Sequence, residues 1–83
     1  MKFIVYVLKS LRNKKRYVGY SSKDAEERLR EHNSGSNSFT RQNGPFALAY
    51  IEQYDNKTEA IKREKFLKSG QGRKLLDTLG PLA

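Results

Sequence analysis

Two apolar stretches decide how this chain folds: FIVYVL at residues 3–8 and RYVGYS at residues 16–21. The first is almost entirely β-branched or aromatic, as in a strand that is central in its sheet or covered on both faces. The residues between the two stretches are polar and include Asn13, which favours a turn. The sequence therefore predicts a β-hairpin that can present the phenols of Tyr6 and Tyr17 on one surface.

A helix is predicted to follow this hairpin, over residues 25–33. Ser22 or Asp24 can cap its first turn, and Asp24 with Glu27 three residues later matches a variant of the capping box. Gly35 is expected to end the helix, because glycine is the usual residue just beyond a helix C-terminus. The chain therefore turns from the hairpin directly into a helix.

The second half of the chain predicts one more strand and two more helices. Residues 34–45 are polar and rich in Ser and Asn, which predicts a long loop, and residues 46–54 alternate as a strand does. A helix is predicted over residues 59–68, with Gly70 in the following GQG run as its stop and turn. A short helix over residues 73–79 completes the predicted order β-β-α-β-α-α.

These elements make one domain over residues 1–83, without an internal repeat or a linker. The alternation of strands and helices predicts a small sheet flanked by helices, which is an α/β fold of the α+β type.

The composition points to an anionic partner. Seventeen Lys and Arg residues against nine Asp and Glu give a net charge of +8, which favours nucleic acid or an acidic membrane surface. The absence of cysteine and the single histidine exclude disulfides and a structural zinc site. The apolar stretches are too short for a signal peptide or a membrane span, so we expect a cytoplasmic protein without a membrane partner.

Helical spacing gives the two tyrosines polar neighbours. Arg28 and His32 are four residues apart, beside the apolar stripe of the first predicted helix. Glu64 falls inside the apolar stripe of the second, where an unpaired carboxylate is strongly disfavoured. Glu64 therefore needs an ion pair with Arg28 or Arg41, a rotation of the helix that exposes it, or a bound cation.

The second strand also contains a glycine, Gly19. Glycine is a poor strand residue, and in this place it predicts a bulge or the close approach of another group.

The order and spacing of these residues resemble the GIY-YIG nuclease superfamily. The residues that carry the resemblance are Tyr6, Tyr17, Val18, Gly19, Arg28, His32 and Glu64. It covers about residues 3–74 and is nearest to the small standalone bacterial members, which have tails like REKFLKSGQGR at residues 63–73. Ile4 stands where the family has the glycine of its first triplet, and Phe39 where small members often have a tyrosine.

The resemblance implies a three-stranded antiparallel sheet flanked by helices, and one divalent ion, Mg²⁺ or Mn²⁺, held by Glu64. It also implies that Tyr6 and Tyr17 orient or deprotonate the attacking water, and that Arg28 balances the charge of the phosphate. His32 could relay the proton or act as a base itself, so the base stays open among Tyr6, Tyr17 and His32. Nearby cations are expected to lower the pKa of a tyrosine in such a site.

Other basic residues are candidate contacts to nucleic-acid phosphates, and such contacts position a ligand without reading its sequence. They are Lys14, Lys15, Arg16, Arg41, Lys65, Lys68, Arg73 and Lys74. The predicted function is a divalent-metal-dependent endonuclease that hydrolyses phosphodiester bonds in DNA, with branched, damaged or single-stranded DNA as candidate substrates. The alternative is a non-catalytic nucleic-acid-binding module with the same fold, and the oligomeric state stays open.

Overall fold

The computed structural model describes residues 2–35 and 37–79. Three strands form an antiparallel sheet in the order β2-β1-β3: β1 (Phe3–Ser10), β2 (Arg16–Ser21) and β3 (Phe46–Tyr54). The longest apolar stretch of the sequence is thus the central strand, where the chain can cover both of its faces. The predicted fold class, the three-stranded antiparallel sheet and the order of the predicted elements are confirmed.

Within the described residues, four helices flank this sheet: α1 (Ala25–Asn33), α2 (Ser38–Asn43), α3 (Lys57–Lys68) and α4 (Gly70–Thr78). On the side of α3 and α4, the sheet and helices enclose a core of Val5, Val7, Val18, Ala60, Leu67 and Leu76. On the side of α1 and α2, a second core consists of Tyr6, Leu8 and Phe46, with Leu29 and Phe39 packed against it. Alternate residues of β1 therefore enter different cores, and Tyr6 lies in the core that α1 covers.

The prediction of a loop over residues 34–45 was wrong for its middle part, which is helix α2. Asn37 caps this helix by accepting a hydrogen bond from the Thr40 N–H at 2.9 Å, and Thr40 Oγ1 completes a capping box. Asn, Ser and Thr favour helix caps as well as loops, so a short helix with polar ends looks like a loop in the sequence. The predicted side-chain cap of α1 is also wrong, because Asp24 occupies the N-cap position without making a side-chain hydrogen bond to the helix.

The GQG run was predicted as a stop and turn, but the structure places all three residues at the start of α4. Ser69 alone separates α3 from α4, and its hydroxyl accepts the Gly72 N–H at 3.2 Å. A Cβ at position 72 would lie 2.0 Å from the carbonyl oxygen of Phe66. Gly72 is therefore needed for the close approach of two helices and not for a turn.

Candidate active site

The phenol of Tyr6 lies at the centre of the site because its neighbour on β2 has no side chain. Tyr6 pairs directly with Gly19 across the two strands. A Cβ on Gly19 would lie 2.6 Å from the Tyr6 hydroxyl oxygen and 3.2 Å from the Tyr17 ring. Gly19 thus opens the space that both tyrosines use, by close approach and without a bulge in the β1–β2 pairing.

Helix α1 brings two polar side chains to this hydroxyl. His32 Nε2 lies 2.9 Å from Tyr6 Oη, and both side chains are almost completely buried, with exposures of 1% and 0%. Arg28 Nε donates to the same oxygen at 3.4 Å. Because Arg28 and His32 are one helical turn apart, α1 delivers both from a single face. We call Tyr6, Tyr17, Arg28 and His32 the Tyr6 cluster.

Tyr17 joins the Tyr6 cluster through its ring. Its centroid lies 4.5 Å from the His32 ring and 6.3 Å from the Tyr6 ring, both in tilted arrangements. On its other side it packs against Phe39 of α2 at a centroid distance of 5.9 Å. Tyr17 therefore connects the buried Tyr6–His32 pair with the surface formed by α2.

The environment shifts the pKa values of Tyr6 and His32 in opposite directions. Burial raises the pKa of Tyr6, and this outweighs the hydrogen bond and the charge of Arg28, which act to lower it. Burial, and after it the positive charge of Arg28, lowers the pKa of His32. Arg28 therefore acts on the Tyr6 pKa in the expected direction, but burial reverses the net shift. Near neutral pH the cluster holds a protonated phenol beside a neutral imidazole.

Glu64 approaches the Tyr6 cluster from α3. Its side chain is 15% exposed, and its negative charge contributes to raising the pKa of Tyr6. Lys68 Nζ lies 3.7 Å from Glu64 Oε2, which is longer than a hydrogen bond. Neither expected arginine is its ion-pair partner in the parts of the chain that the structure describes. Arg28 pairs with Glu31, and the cation nearest to the Glu64 carboxylate is Lys68.

The surroundings of Glu64 fit one divalent ion. A carboxylate offers about four lone-pair sites, and a single long ion pair leaves most of them accessible. Mg²⁺ commonly binds one or two carboxylates and completes its shell with water and substrate phosphate. In residues 2–35 and 37–79, no three His, Cys, Asp or Glu side chains lie close enough together to form a protein-only metal site. A divalent ion held by Glu64 would therefore need further ligands from outside these residues, such as water or phosphate oxygens.

A cleft of about 590 Å³ lies beside the Tyr17 ring. We call it the basic cleft, and it is lined by Lys14, Lys15, Arg16, Tyr17, Val18, Phe39, Leu67, Lys68, Arg73 and Leu76. Tyr17 and Val18 point to opposite faces of β2, so the cleft wraps around the free edge of this strand.

The basic cleft gathers five of the eight cations that the sequence singled out as phosphate contacts: Lys14, Lys15, Arg16, Lys68 and Arg73. The other three, Arg41, Lys65 and Lys74, are exposed but do not line it. Arg16 is also engaged in an ion pair of 2.6 Å with Asp77 of α4. The structure therefore separates the predicted cations into those next to Tyr17 and those elsewhere on the surface.

Glu31 is a member of the site that the sequence interpretation missed. Its carboxylate lies 2.9 Å from Arg28 Nη1 and 3.0 Å from Lys23 Nζ. The hydrogen bond from Lys23 is the main reason that the pKa of Glu31 is lowered. The spacing of Glu31, three residues after Arg28, was the available signal, because side chains so spaced on a helix are neighbours.

Comparisons with known proteins show which proteins this chain resembles. A family model described as the GIY-YIG catalytic domain matches residues 2–76. UPF0213 protein SSP2268 from Staphylococcus saprophyticus is 37% identical over 76 residues, which is 90% of each chain. UPF0213 protein CPE1444 from Clostridium perfringens is 38% identical over 65 residues, covering 77% of this chain and 68% of that one.

A solved structure is similar over nearly the whole chain. The solution NMR structure of the UPF0213 protein BH0048 from Bacillus halodurans is 32% identical, with a TM-score of 0.57, and the match covers 95% of this chain and 85% of that one. Separately, none of the helices in the described ranges is long and apolar enough to cross a membrane.

Proposed function

Because this chain belongs to the GIY-YIG family, we propose that it is a divalent-metal-dependent endonuclease that hydrolyses phosphodiester bonds in DNA. Membership confirms the family resemblance seen in the sequence and implies nuclease-type activity. The observation that carries the proposal is the 2.9 Å contact between the Tyr6 hydroxyl and His32 Nε2, with Arg28 bound to the same hydroxyl. A buried polar set of this kind beside a cationic cleft is suited to attack on a phosphate.

In this proposal Tyr6 and His32 act together on the attacking water. A phenol with a raised pKa is a poor base by itself, but a neutral imidazole can accept the phenolic proton through Nε2. Tyr6 takes the proton of the water as it passes its own to His32. This use of His32 requires the tautomer with its proton on Nδ1. Tyr17 packs on the His32 ring and holds its plane.

Arg28 is proposed to bind the non-bridging oxygens of the scissile phosphate. Its Nε is directed at Tyr6, and its Nη1 is held by Glu31 at 2.9 Å. A phosphate can replace Glu31 as the acceptor, because arginine forms strong charge-assisted hydrogen bonds with both groups. The charge of the phosphate is thereby balanced next to the water-activating pair.

Glu64 is proposed to hold one Mg²⁺ or Mn²⁺, with the substrate phosphate as a further ligand. The ion, when bound, supplies charge neutralisation of the phosphate and stabilisation of the leaving oxygen. Lys68 is the group that gives up its ion pair with Glu64 on binding.

The basic cleft is proposed as the main nucleic-acid contact, through Lys14, Lys15, Arg16, Lys68 and Arg73. Arg41, Lys65 and Lys74 are proposed as outer contacts that act at longer range. Because the contacts are to phosphates, DNA binding should weaken steeply with rising salt.

One observation favours the second candidate, a nucleic-acid-binding module without catalysis: Lys68 already occupies part of the Glu64 carboxylate. The test is incubation of the purified protein with supercoiled, single-stranded and branched DNA in Mg²⁺ or Mn²⁺, beside Glu64→Gln. We expect cleavage that needs the metal and is lost in Glu64→Gln while DNA affinity is kept. Equal cleavage by both proteins, or binding without cleavage of any substrate, would contradict the proposal.

A further inference from the structure

The basic cleft is lined by apolar and aromatic side chains as well as by cations, and its floor is apolar. Val18, Leu67 and Leu76 form this floor and are buried. Two half-buried aromatic residues, Tyr17 and Phe39, stand at its side with ring centroids 5.9 Å apart. Val18, Leu67 and Leu76 also belong to the core under α3 and α4, so what the cleft offers a ligand besides its cations is the half-buried rings of Tyr17 and Phe39. Phosphate binding requires only the cations, and such rings suit a ligand with an apolar face.

The wall of the cleft is held in place by hydrogen bonds between two segments. Ser10 Oγ donates to the Asn43 carbonyl oxygen at 2.5 Å and accepts the backbone N–H of Asn13 at 3.1 Å. Asn13 Nδ2 in turn donates to Asn43 Oδ1 at 2.7 Å. These bonds fasten the β1–β2 turn, which carries Lys14 and Lys15, to the helix that carries Phe39. The cations and the ring are thus positioned together before a ligand arrives.

We propose that the basic cleft takes an unstacked nucleobase, so that the substrate is a single-stranded or locally unpaired nucleic acid. This inference rests on the proposed function and names the substrate class of that site. In a duplex the base faces are covered by their neighbours and cannot reach an apolar floor, whereas an unpaired base can stack on aromatic rings. The volume of about 590 Å³ is in the range of clefts that take small organic ligands, about 300–1,000 Å³.

The position of Tyr17 relates the base to the reacting groups. Its ring centroid lies 4.5 Å from that of His32, and Tyr17 is also one of the residues that line the cleft. A base in the cleft therefore lies next to the Tyr6–His32 pair. Cations of the β1–β2 turn and of α3 and α4 flank it from two directions, where the phosphates on either side of an unstacked nucleotide would be.

The test uses binding without cleavage, in the Glu64→Gln background and with EDTA. A single-stranded DNA oligonucleotide carries one 2-aminopurine, whose fluorescence reports stacking, and anisotropy gives Kd for this strand and for its duplex at one salt concentration. Phe39→Leu keeps an apolar side chain but removes the ring, and Phe39→Tyr keeps the ring. Thermal unfolding of each variant shows that it is folded at the assay temperature.

We expect the single strand to bind more tightly than the duplex and its 2-aminopurine fluorescence to change on binding. Phe39→Leu should weaken single-strand binding by about 5- to 100-fold and leave duplex binding unchanged, because one stacked base is lost. Phe39→Tyr should bind as the parent does. An RNA strand of the same sequence, run in parallel, shows which sugar is preferred, and a preference for either supports the proposal.

Equal affinity for single strand and duplex, or a Phe39→Leu variant that binds the single strand as tightly as Phe39→Tyr, would overturn the proposal. These outcomes are separate from the cleavage test. If stacking and its dependence on Phe39 are observed but the protein with Glu64 cleaves no substrate, the proposed nuclease function fails and the cleft assignment stands. If the protein cleaves DNA but neither cleavage nor binding depends on Phe39, the nuclease function stands and the cleft assignment fails.

Discussion

The Tyr6 cluster and a second cluster on the sheet use the same kinds of side chain, but they differ in how fully their charges are paired. We call Tyr50, Glu52, Tyr54 and Arg63 the Glu52 cluster. Its carboxylate accepts hydrogen bonds from Tyr50, from Tyr54 at 2.6 Å, and from Arg63 at 2.8 and 3.0 Å. Every lone-pair site of Glu52 therefore has a donor within the protein.

The Glu52 cluster fastens helix α3 to the edge strand β3. Burial opposes ionisation of Glu52, but the hydrogen bonds from Arg63, Tyr50 and Tyr54 outweigh it and lower its pKa. Burial and the hydrogen bond to Glu52 raise the pKa of Tyr54 to about 12. Both oxygens of the Glu52 carboxylate are thus used internally.

Near Tyr6, Arg28 and Glu64 each have one ion-pair partner among residues 2–35 and 37–79. Arg28 is held by Glu31 and Glu64 by Lys68, each through an ion pair that a ligand can displace. Arg63 and Glu64 are adjacent in sequence, and the turn of about 100° between consecutive helix residues sends one to each cluster. Clusters built from the same residue types thus differ in how many donors surround their carboxylate, with four hydrogen bonds at Glu52 and one long ion pair at Glu64.

The largest expected difference is between the two arginines. Arg28→Lys should lower the cleavage rate by about 100-fold, because lysine cannot reproduce the paired guanidinium contacts to a phosphate. Arg63→Lys should keep cleavage within a few-fold of the parent and lower the free energy of unfolding by about 1 kcal/mol. Initial cleavage rates and urea unfolding of both variants measure these effects. Similar losses of rate in both would remove the distinction between the clusters.

The next largest effect is expected from substituting the glycine beside the Tyr6 phenol. Gly19→Ala should destabilise the protein by about 2 kcal/mol and impair cleavage, because its Cβ would meet the Tyr6 hydroxyl at 2.6 Å. Gly70→Ala is the matched control, since a Cβ at this position has no described neighbour within 4 Å. Thermal unfolding and cleavage rates of the pair check the prediction. An unchanged Gly19→Ala protein would show that the Tyr6 phenol does not need this space.

The smallest expected effect is on the free energy of unfolding, which should depend on pH in a different range for each cluster. The lowered pKa of His32 means that the unfolded chain binds its proton more readily, so stability should fall as pH drops below the ordinary value of 6.5. The lowered pKa of Glu52 gives a loss that begins only below its ordinary value of 4.5. Urea unfolding between pH 7.5 and 5.5 on the parent and on His32→Gln measures the first effect. The same slope in both proteins would contradict it.

The elements predicted most accurately from the sequence are those whose bounds depend on local residue pattern. The bounds of β2, β3 and α1 agree with the structure, because alternation and helical spacing are properties of neighbouring residues. Helix α2 was missed because polar caps and loops use the same residues. The use of Gly72 was missed because it depends on the backbone of Phe66, in another helix.

The sequence singled out the residues that meet around Tyr6 but not the contacts that they make. The spacing of Arg28 and His32 correctly placed both on one face of α1, from which both reach Tyr6. The pairing of Glu52 with Arg63 joins residues of different elements, and nothing in local pattern distinguishes it. The sign of the Tyr6 pKa shift likewise depended on burial, which spacing does not reveal.

The most direct test of the division between the two clusters compares Glu64→Gln with Glu52→Gln. We predict that Glu64→Gln loses metal-dependent cleavage down to background and unfolds at the parent urea concentration. Glu52→Gln should cleave within a few-fold of the parent and unfold at a lower urea concentration, because Arg63 loses its charged partner. Loss of cleavage in Glu52→Gln at full folding, or full cleavage in Glu64→Gln, would contradict this account.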